Sequence, residues 1–169
     1  AASSEGNTNN VATGALGPTF DNRRKPEIYA PGSNTTSSQA GTNCGTQTCF
    51  GSSMATPAIA ASAALVRQYF TEGWYPSGTK RPDQAFVPSG ALLKATLLNS
   101  TRNMTGTDAF GVAAPVNGYP TNIEGWGELV LDDALYFAGD ARNMWAWDVR
   151  HAGGLSTGET HSYFLPVAT

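Results

Sequence analysis

The junction between Gly51-Ser52-Ser53-Met54-Ala55-Thr56-Pro57 and the alanine-rich run Ala58 to Phe70 constrains this chain more than any other stretch. Ala58, Ile59, Ala60, Ala61, Ala63, Ala64, Leu65 and Val66 put apolar side chains on nearly every face of a helix, the pattern of a helix enclosed on all sides. Charge first returns at Arg67, and Gly73 is the expected stop. The turn that opens this helix is built from small residues. Glycine allows backbone conformations closed to other residues, so Gly51 suits a strained turn or a close approach. A serine placed there has unpaired backbone N–H groups and the positive end of the macrodipole beside it. That environment holds a developing oxyanion during acyl transfer. Ser53 is the candidate nucleophile, with Gly51 and Ser52 close to the oxyanion. Without its flanking residues, Ser53 reads as an ordinary helix N-cap. Pro57 lacks an N–H, which leaves the Ser53 carbonyl without its usual helical partner.

Gly51 to Pro57 is also very similar to the nucleophile motif of the subtilisin-like serine peptidases, with Ser53 in the nucleophile's place. Other stretches match in the expected order. Upstream, Gly17-Pro18-Thr19, Arg24-Lys25-Pro26-Glu27-Ile28 and Ala30-Pro31-Gly32 resemble the segment that precedes the serine in that family. Downstream, Leu92-Leu93-Lys94-Ala95, then Gly125-Trp126-Gly127 with Leu131-Asp132, resemble the closing helix and final motif of the catalytic domain. The resemblance covers residues 9 to 137. It implies an α/β fold, a mostly parallel sheet flanked by helices, with 1–137 as the C-terminal part of the catalytic domain. It also implies a secreted, extracellular endopeptidase acting on proteins or peptides through an acyl-enzyme. That chemistry requires no cofactor. Structural calcium occurs in many relatives, but no carboxylate cluster here locates such a site, and no metal ligand is assigned.

The activators of the serine are missing from the sequence. A serine hydroxyl is a poor nucleophile until a base takes its proton and a third group orients that base. In the subtilisin order Asp and His come before Ser, yet His151 and His161 both follow Ser53. Ala1 to Asn10 contains Gly6-Asn7 and also Asn9 and Asn10, but its context is not read as a match to that of the family's oxyanion asparagine. The chain by itself is expected to be inactive, and its expected partner is the N-terminal half of the catalytic domain. Two rivals remain. A pseudo-peptidase or structural fragment that kept the serine turn has the same residues. The order Ser53, Asp132 or Asp133, His161 is that of α/β-hydrolases, but Ala55 stands where their elbow requires glycine.

Elsewhere the punctuation sets the organisation. Ala1 to Asn10 reads as polar loop, Val11 to Ala15 as a weak strand, Asp21-Asn22 as a turn and Glu27 to Ala30 as a strand. Ser33 to Thr48 reads as polar loop, Gly73 to Pro88 and Asn99 to Tyr119 as further loops, and Ser89 as the N-cap of a helix to Leu98. Gly127 to Val130 is a short strand candidate and Asp132 to Phe137 a brief helix. Met144 to Val149 and Ser162 to Val167 alternate like strands, as at the opening of a separate β-rich module. The resemblance to subtilisin relatives in which a similar Gly-Trp-Gly stretch leads into a β-sandwich or jelly-roll domain implies that 138–169 begins such a module. Cys44 and Cys49 flank Gly-Thr-Gln-Thr just before the serine turn. A small local disulfide is the expected reading, with free thiols next; two cysteines without a histidine do not fill a tetrahedral metal site. His151 and His161 read as surface or turn residues, and Trp74, Tyr75, Trp145 and Trp147 as core or interface aromatics. A net charge of −3 with 14% charged residues gives no electrostatic case for nucleic acid or an anionic membrane. Three Asn-X-Ser/Thr tripeptides, at Asn34, Asn99 and Asn103, are patterns too short to carry weight alone.

Overall fold

The computed structural model describes the backbone of residues 2–4 and all atoms of 16–104, 120–150 and 154–164. Tyr29–Pro31 (β2) lies inside a four-stranded sheet because its neighbours are buried and its alternate faces find partners: Tyr29 is fully buried and Ala30 nearly so. Ala2–Ser4 (β1) pairs parallel to β2, with Ala2 opposite Tyr29. On the other side Glu128–Leu129 (β6) pairs parallel to β2, and Thr101–Arg102 (β5) closes the edge antiparallel to β6. The order β1-β2-β6-β5 is a mostly parallel arrangement with one antiparallel edge. Together with two helices it makes an α/β fold, as the resemblance implied. β1 falls inside Ala1 to Asn10, read from sequence as loop. Its small polar residues carry no strand signal, and pairing with β2 supplies the structure.

Ser52–Thr71 (α1) is the long helix anticipated after the serine turn. It ends where Gly73 takes φ 75°, and the N–H groups of Gly73 and Trp74 close on the carbonyls of Phe70 and Tyr69 at 3.2 and 3.1 Å. A Cβ at Gly73 would lie 1.8 Å from the Arg81 carbonyl oxygen, so glycine is required twice over. The expectation of a helix enclosed on every side is corrected. Ala55, Val66, Tyr69 and Phe70 are buried, whereas Ala60, Ala61 and Ala64 are exposed and Leu65 is 55% exposed. The described sheet and second helix cover one face of α1 and leave the other bare.

Gly90–Asn99 (α2) begins as expected, with the Ser89 hydroxyl accepting from the Leu92 N–H at 3.1 Å. Leu92 and Leu97 join Ile28, Val66, Tyr69 and Phe70 in the main core. Phe70 sits among Tyr69, Tyr75 and Phe86 with ring centroids 5.1 to 5.9 Å apart. Burying such a ring contributes about 1.5–3 kcal/mol. Trp74 and Tyr75 pack against this core, in keeping with their reading.

Ser33 to Thr48 is not a loop. Thr35–Ser38 (β3) and Thr46–Cys49 (β4) form an antiparallel hairpin, with Thr35 opposite Cys49 and Ser38 opposite Thr46. It escaped the sequence reading because it is nearly all Ser, Thr and Gln and offers no apolar alternation. β-branched threonines and a 2.8 Å hydroxyl contact between Thr36 and Thr48 hold it instead. The cysteine expectation is corrected by the same hairpin. Cys44 lies in the turn and Cys49 at the far end of β4, and both are free thiols. A strand rises about 3.3 Å per residue, so the two Cα atoms stand beyond the roughly 7 Å that a disulfide spans.

Downstream, Gly127 takes φ 99°, and a Cβ there would lie 1.9 Å from the Arg102 carbonyl oxygen. Tyr29 N–H donates to the Gly127 carbonyl and Trp126 N–H to that of Glu27, each at 2.8 Å, which locks this motif beside β2. The helix expected over Asp132 to Phe137 shrinks to a single 3-10 turn, Leu131–Asp133. Residues 144 to 149 keep the anticipated alternation, with Met144, Ala146 and Asp148 half-buried and Trp145, Trp147 and Val149 exposed. They pair with no strand among the described residues. The Tyr75 hydroxyl replaces a strand partner: it donates to the Ala146 carbonyl at 3.0 Å and accepts from its N–H at 3.1 Å. Asp148 accepts from the Ser89 N–H at 2.8 Å. This stretch therefore straps onto the same body as α2. Residues 162–164 are irregular, while Val11 to Ala15, His151 and 165–167 lie outside the described residues.

Candidate active site

Ser53 occupies the second position of α1 and is exposed. Gly51, the N-cap, is at φ 128° and ψ 174°, a region that favours glycine. No atom lies within 4 Å of a Cβ built on it, so backbone conformation and not crowding demands glycine here. Its N–H donates to the Gly32 carbonyl at 2.7 Å, which closes the base of the β3–β4 hairpin onto the serine turn. Its carbonyl accepts from Met54 and Ala55 at 3.0 and 3.3 Å. The N–H groups of Ser52 and Ser53 have no backbone acceptor among the described residues. They stand at the positive end of the 20-residue helix, where an anion is favoured. The Ser53 hydroxyl makes no hydrogen bond to the described residues, whereas half-buried Ser52 is built into the helix through the Thr56 hydroxyl, which donates to its carbonyl at 2.8 Å.

A profile of the subtilase family matches residues 2–127. The chain belongs to the subtilase family. The match contains Ser53 and the Gly125-Trp126-Gly127 stretch, and ends short of Leu131-Asp132. Two relatives from Dictyostelium discoideum, the serine protease/ABC transporter B family proteins tagB and tagD, are each 33% identical over 156 aligned residues. Each alignment covers 77% of this chain and 8% of the relative. A third such protein, tagA, is 36% identical over 101 residues, half of this chain and 6% of its own. The chain thus spans less than a tenth of the length of these relatives. At the level of the family, the chemistry is that of a serine peptidase.

No base among the described residues makes a hydrogen bond to the Ser53 hydroxyl. His161 Nε2 lies 2.8 Å from Glu159 Oε1. Asp133 is bound by two guanidinium nitrogens of Arg102, Nε and Nη2, and reached by Arg142 at 3.4 Å. The Arg102 hydrogen bond holds its carboxyl below the ordinary carboxylate range against the opposing effect of burial. Asp133 and His161 are thus engaged by other partners, and no hydrogen bond joins either of them or Asp132 to the Ser53 hydroxyl. No three His, Cys, Asp or Glu side chains gather into a metal-holding group among the described residues, and no described helix is long and apolar enough to cross a membrane.

Sequence reasoning passed over Glu124. It is fully buried, its Oε2 accepts from the Met104 N–H at 2.8 Å, and its Oε1 has no partner among the described residues. Burial raises its pKa, and the Met104 hydrogen bond offsets part of that. An acid one residue before Gly125-Trp126-Gly127 gives no sign of burial, because carboxylates are rarely enclosed.

Proposed function

We propose that this chain supplies the nucleophile half of a subtilisin-like serine endopeptidase. The observation that supports this best is Ser53 itself: an exposed hydroxyl on the first turn of α1, beside two N–H groups that no carbonyl of the described residues claims. In the assembled enzyme a histidine takes the Ser53 proton as the oxygen attacks the peptide carbonyl. The Ser53 N–H and an asparagine side chain receive the developing oxyanion. The tetrahedral adduct collapses to an ester on Ser53 as the amine leaves with the proton, and water then releases the acid. The histidine, its orienting aspartate and the oxyanion asparagine come from outside these 169 residues, on the same parent chain or on a cleaved partner. The substrates are proteins or peptides, the site of action is extracellular, and no cofactor takes part in the catalytic steps. Any calcium bound by the complete protein is structural.

A non-catalytic reading rests on one fact, that no histidine precedes Ser53 in the sequence. A fluorophosphonate probe separates the two. With the upstream half present, the probe should label Ser53, and Ser53→Ala should abolish labelling and nearly all peptide hydrolysis. The 169-residue chain alone should stay unlabelled. A folded full-length protein that resists the probe would establish a pseudo-peptidase, and hydrolysis by the isolated chain would overturn the missing-base account.

A further inference from the structure

Three asparagines sit in the acceptor pattern for N-linked glycosylation, and their structural settings differ sharply. Asn99 is the last residue of α2. Its following Ser100 is fully buried, with its N–H and hydroxyl bonded to Thr96 and Leu97, and the Thr101 hydroxyl donates to the Leu98 carbonyl at 2.8 Å. Asn103 precedes Met104, which is fully buried and tied to Glu124. Presenting either tripeptide requires a helix end or a core residue to be pulled out. Asn34 requires neither. It is exposed, it stands at φ 52° in the bend between β2 and β3, and its side chain makes no hydrogen bond to the described residues. Left-handed backbone is a position that asparagine tolerates well. The following Thr35 and Thr36 belong to a two-stranded sheet separate from the four-stranded one, so presenting them breaks no pairing of the latter.

We propose that Asn34 carries an N-linked glycan when the protein passes through a eukaryotic secretory compartment. The Asn34 amide nitrogen displaces a polyprenyl diphosphate from C1 of a lipid-linked oligosaccharide. A C–N bond forms, a C–O bond breaks with its electron pair leaving on the diphosphate, and the nitrogen loses one proton. The reaction needs no other co-reactant. The glycan would stand two residues from Gly32, whose carbonyl holds the serine turn.

The full chain, expressed behind a secretory signal in eukaryotic cells, tests this without any measurement of activity. Enzymatic deglycosylation that converts each occupied asparagine to aspartate, followed by peptide mass mapping, should find aspartate at position 34 in most molecules and asparagine at 99. Thr36→Ala, which keeps the asparagine, should remove one glycan step from the electrophoretic mobility, as should Asn34→Gln. Because transfer precedes export, retained protein is scored in the same way. If a variant fails to fold, the wild-type map decides alone. Unmodified Asn34, or a glycan on Asn99 or Asn103 in its place, overturns the proposal.

Discussion

Glu124 concentrates the electrostatic cost of this fold in one side chain. A buried carboxylate is disfavoured when charged, and here one oxygen has a single amide donor and the other none among the described residues. Its folded pKa is raised above the ordinary 4.5. A carboxyl that binds its proton more tightly when folded adds stability at low pH, and that contribution is lost as the pH rises from about 4.5 through the raised value. Glu124→Gln keeps an oxygen for the Met104 N–H and removes the titration. In the assembled protein it should therefore unfold at higher denaturant than wild type at pH 7.5, with the gap narrowing towards pH 4. An equal difference at both values would assign the effect to packing. Single residues differ in how much of this was legible. Ser53, Gly51 and Ser89 were readable, because a turn or cap acts through its own backbone and immediate neighbours. Glu124 and the unpaired Cys44 and Cys49 were not, because burial and strand direction are properties of partners far along the chain.

At the scale of elements, the two helices were readable from apolar runs and caps, and the threonine-rich hairpin was not. The difference is physical. α1 and α2 are specified by side chains that must leave water, whereas β3 and β4 are specified by each other's backbone, and their side chains remain largely exposed. The last strap, 144 to 150, falls between these cases: its alternation was visible, but its partner is the Tyr75 hydroxyl and not a strand. It converges with Ser89, whose N–H goes to Asp148 and whose hydroxyl caps α2. Ser89→Ala should then cost about 1 kcal/mol, the usual loss for an N-cap. The Asp148 contact uses the backbone and survives the substitution, so the loss should appear as a lower unfolding midpoint with unchanged probe labelling of Ser53 in the assembled enzyme. Ser89→Asp, which restores a capping oxygen, should recover most of it. A loss well beyond about 2 kcal/mol would mean that Ser89 does more than cap.

For the molecule as a whole, the mismatch between α1's sequence and its burial matters most. Ala60, Ala61, Ala64 and Leu65 form a face with no charge before Arg67, yet the described residues leave it in water. Single exposed apolar residues are ordinary, but this is a contiguous helix face that begins about two turns after the proposed nucleophile. The apolar run led the sequence reading to an enclosure that the described residues do not provide, because an apolar pattern specifies a need for burial and not the partner that meets it. Leu65, 55% exposed here, separates the two states. In the 169-residue chain alone, Leu65→Gln removes apolar surface from water and should reduce self-association on sizing chromatography without loss of helical circular dichroism. In the assembled peptidase the same substitution buries an amide in an apolar contact and should lower stability by about 2–3 kcal/mol, from lost burial together with the unpaired polar group. Opposite signs in the two contexts would tie cover of α1 to assembly of the active site. Equal, near-neutral effects in both would mean that this face stays in water in the working enzyme, and that the general base reaches Ser53 from another side.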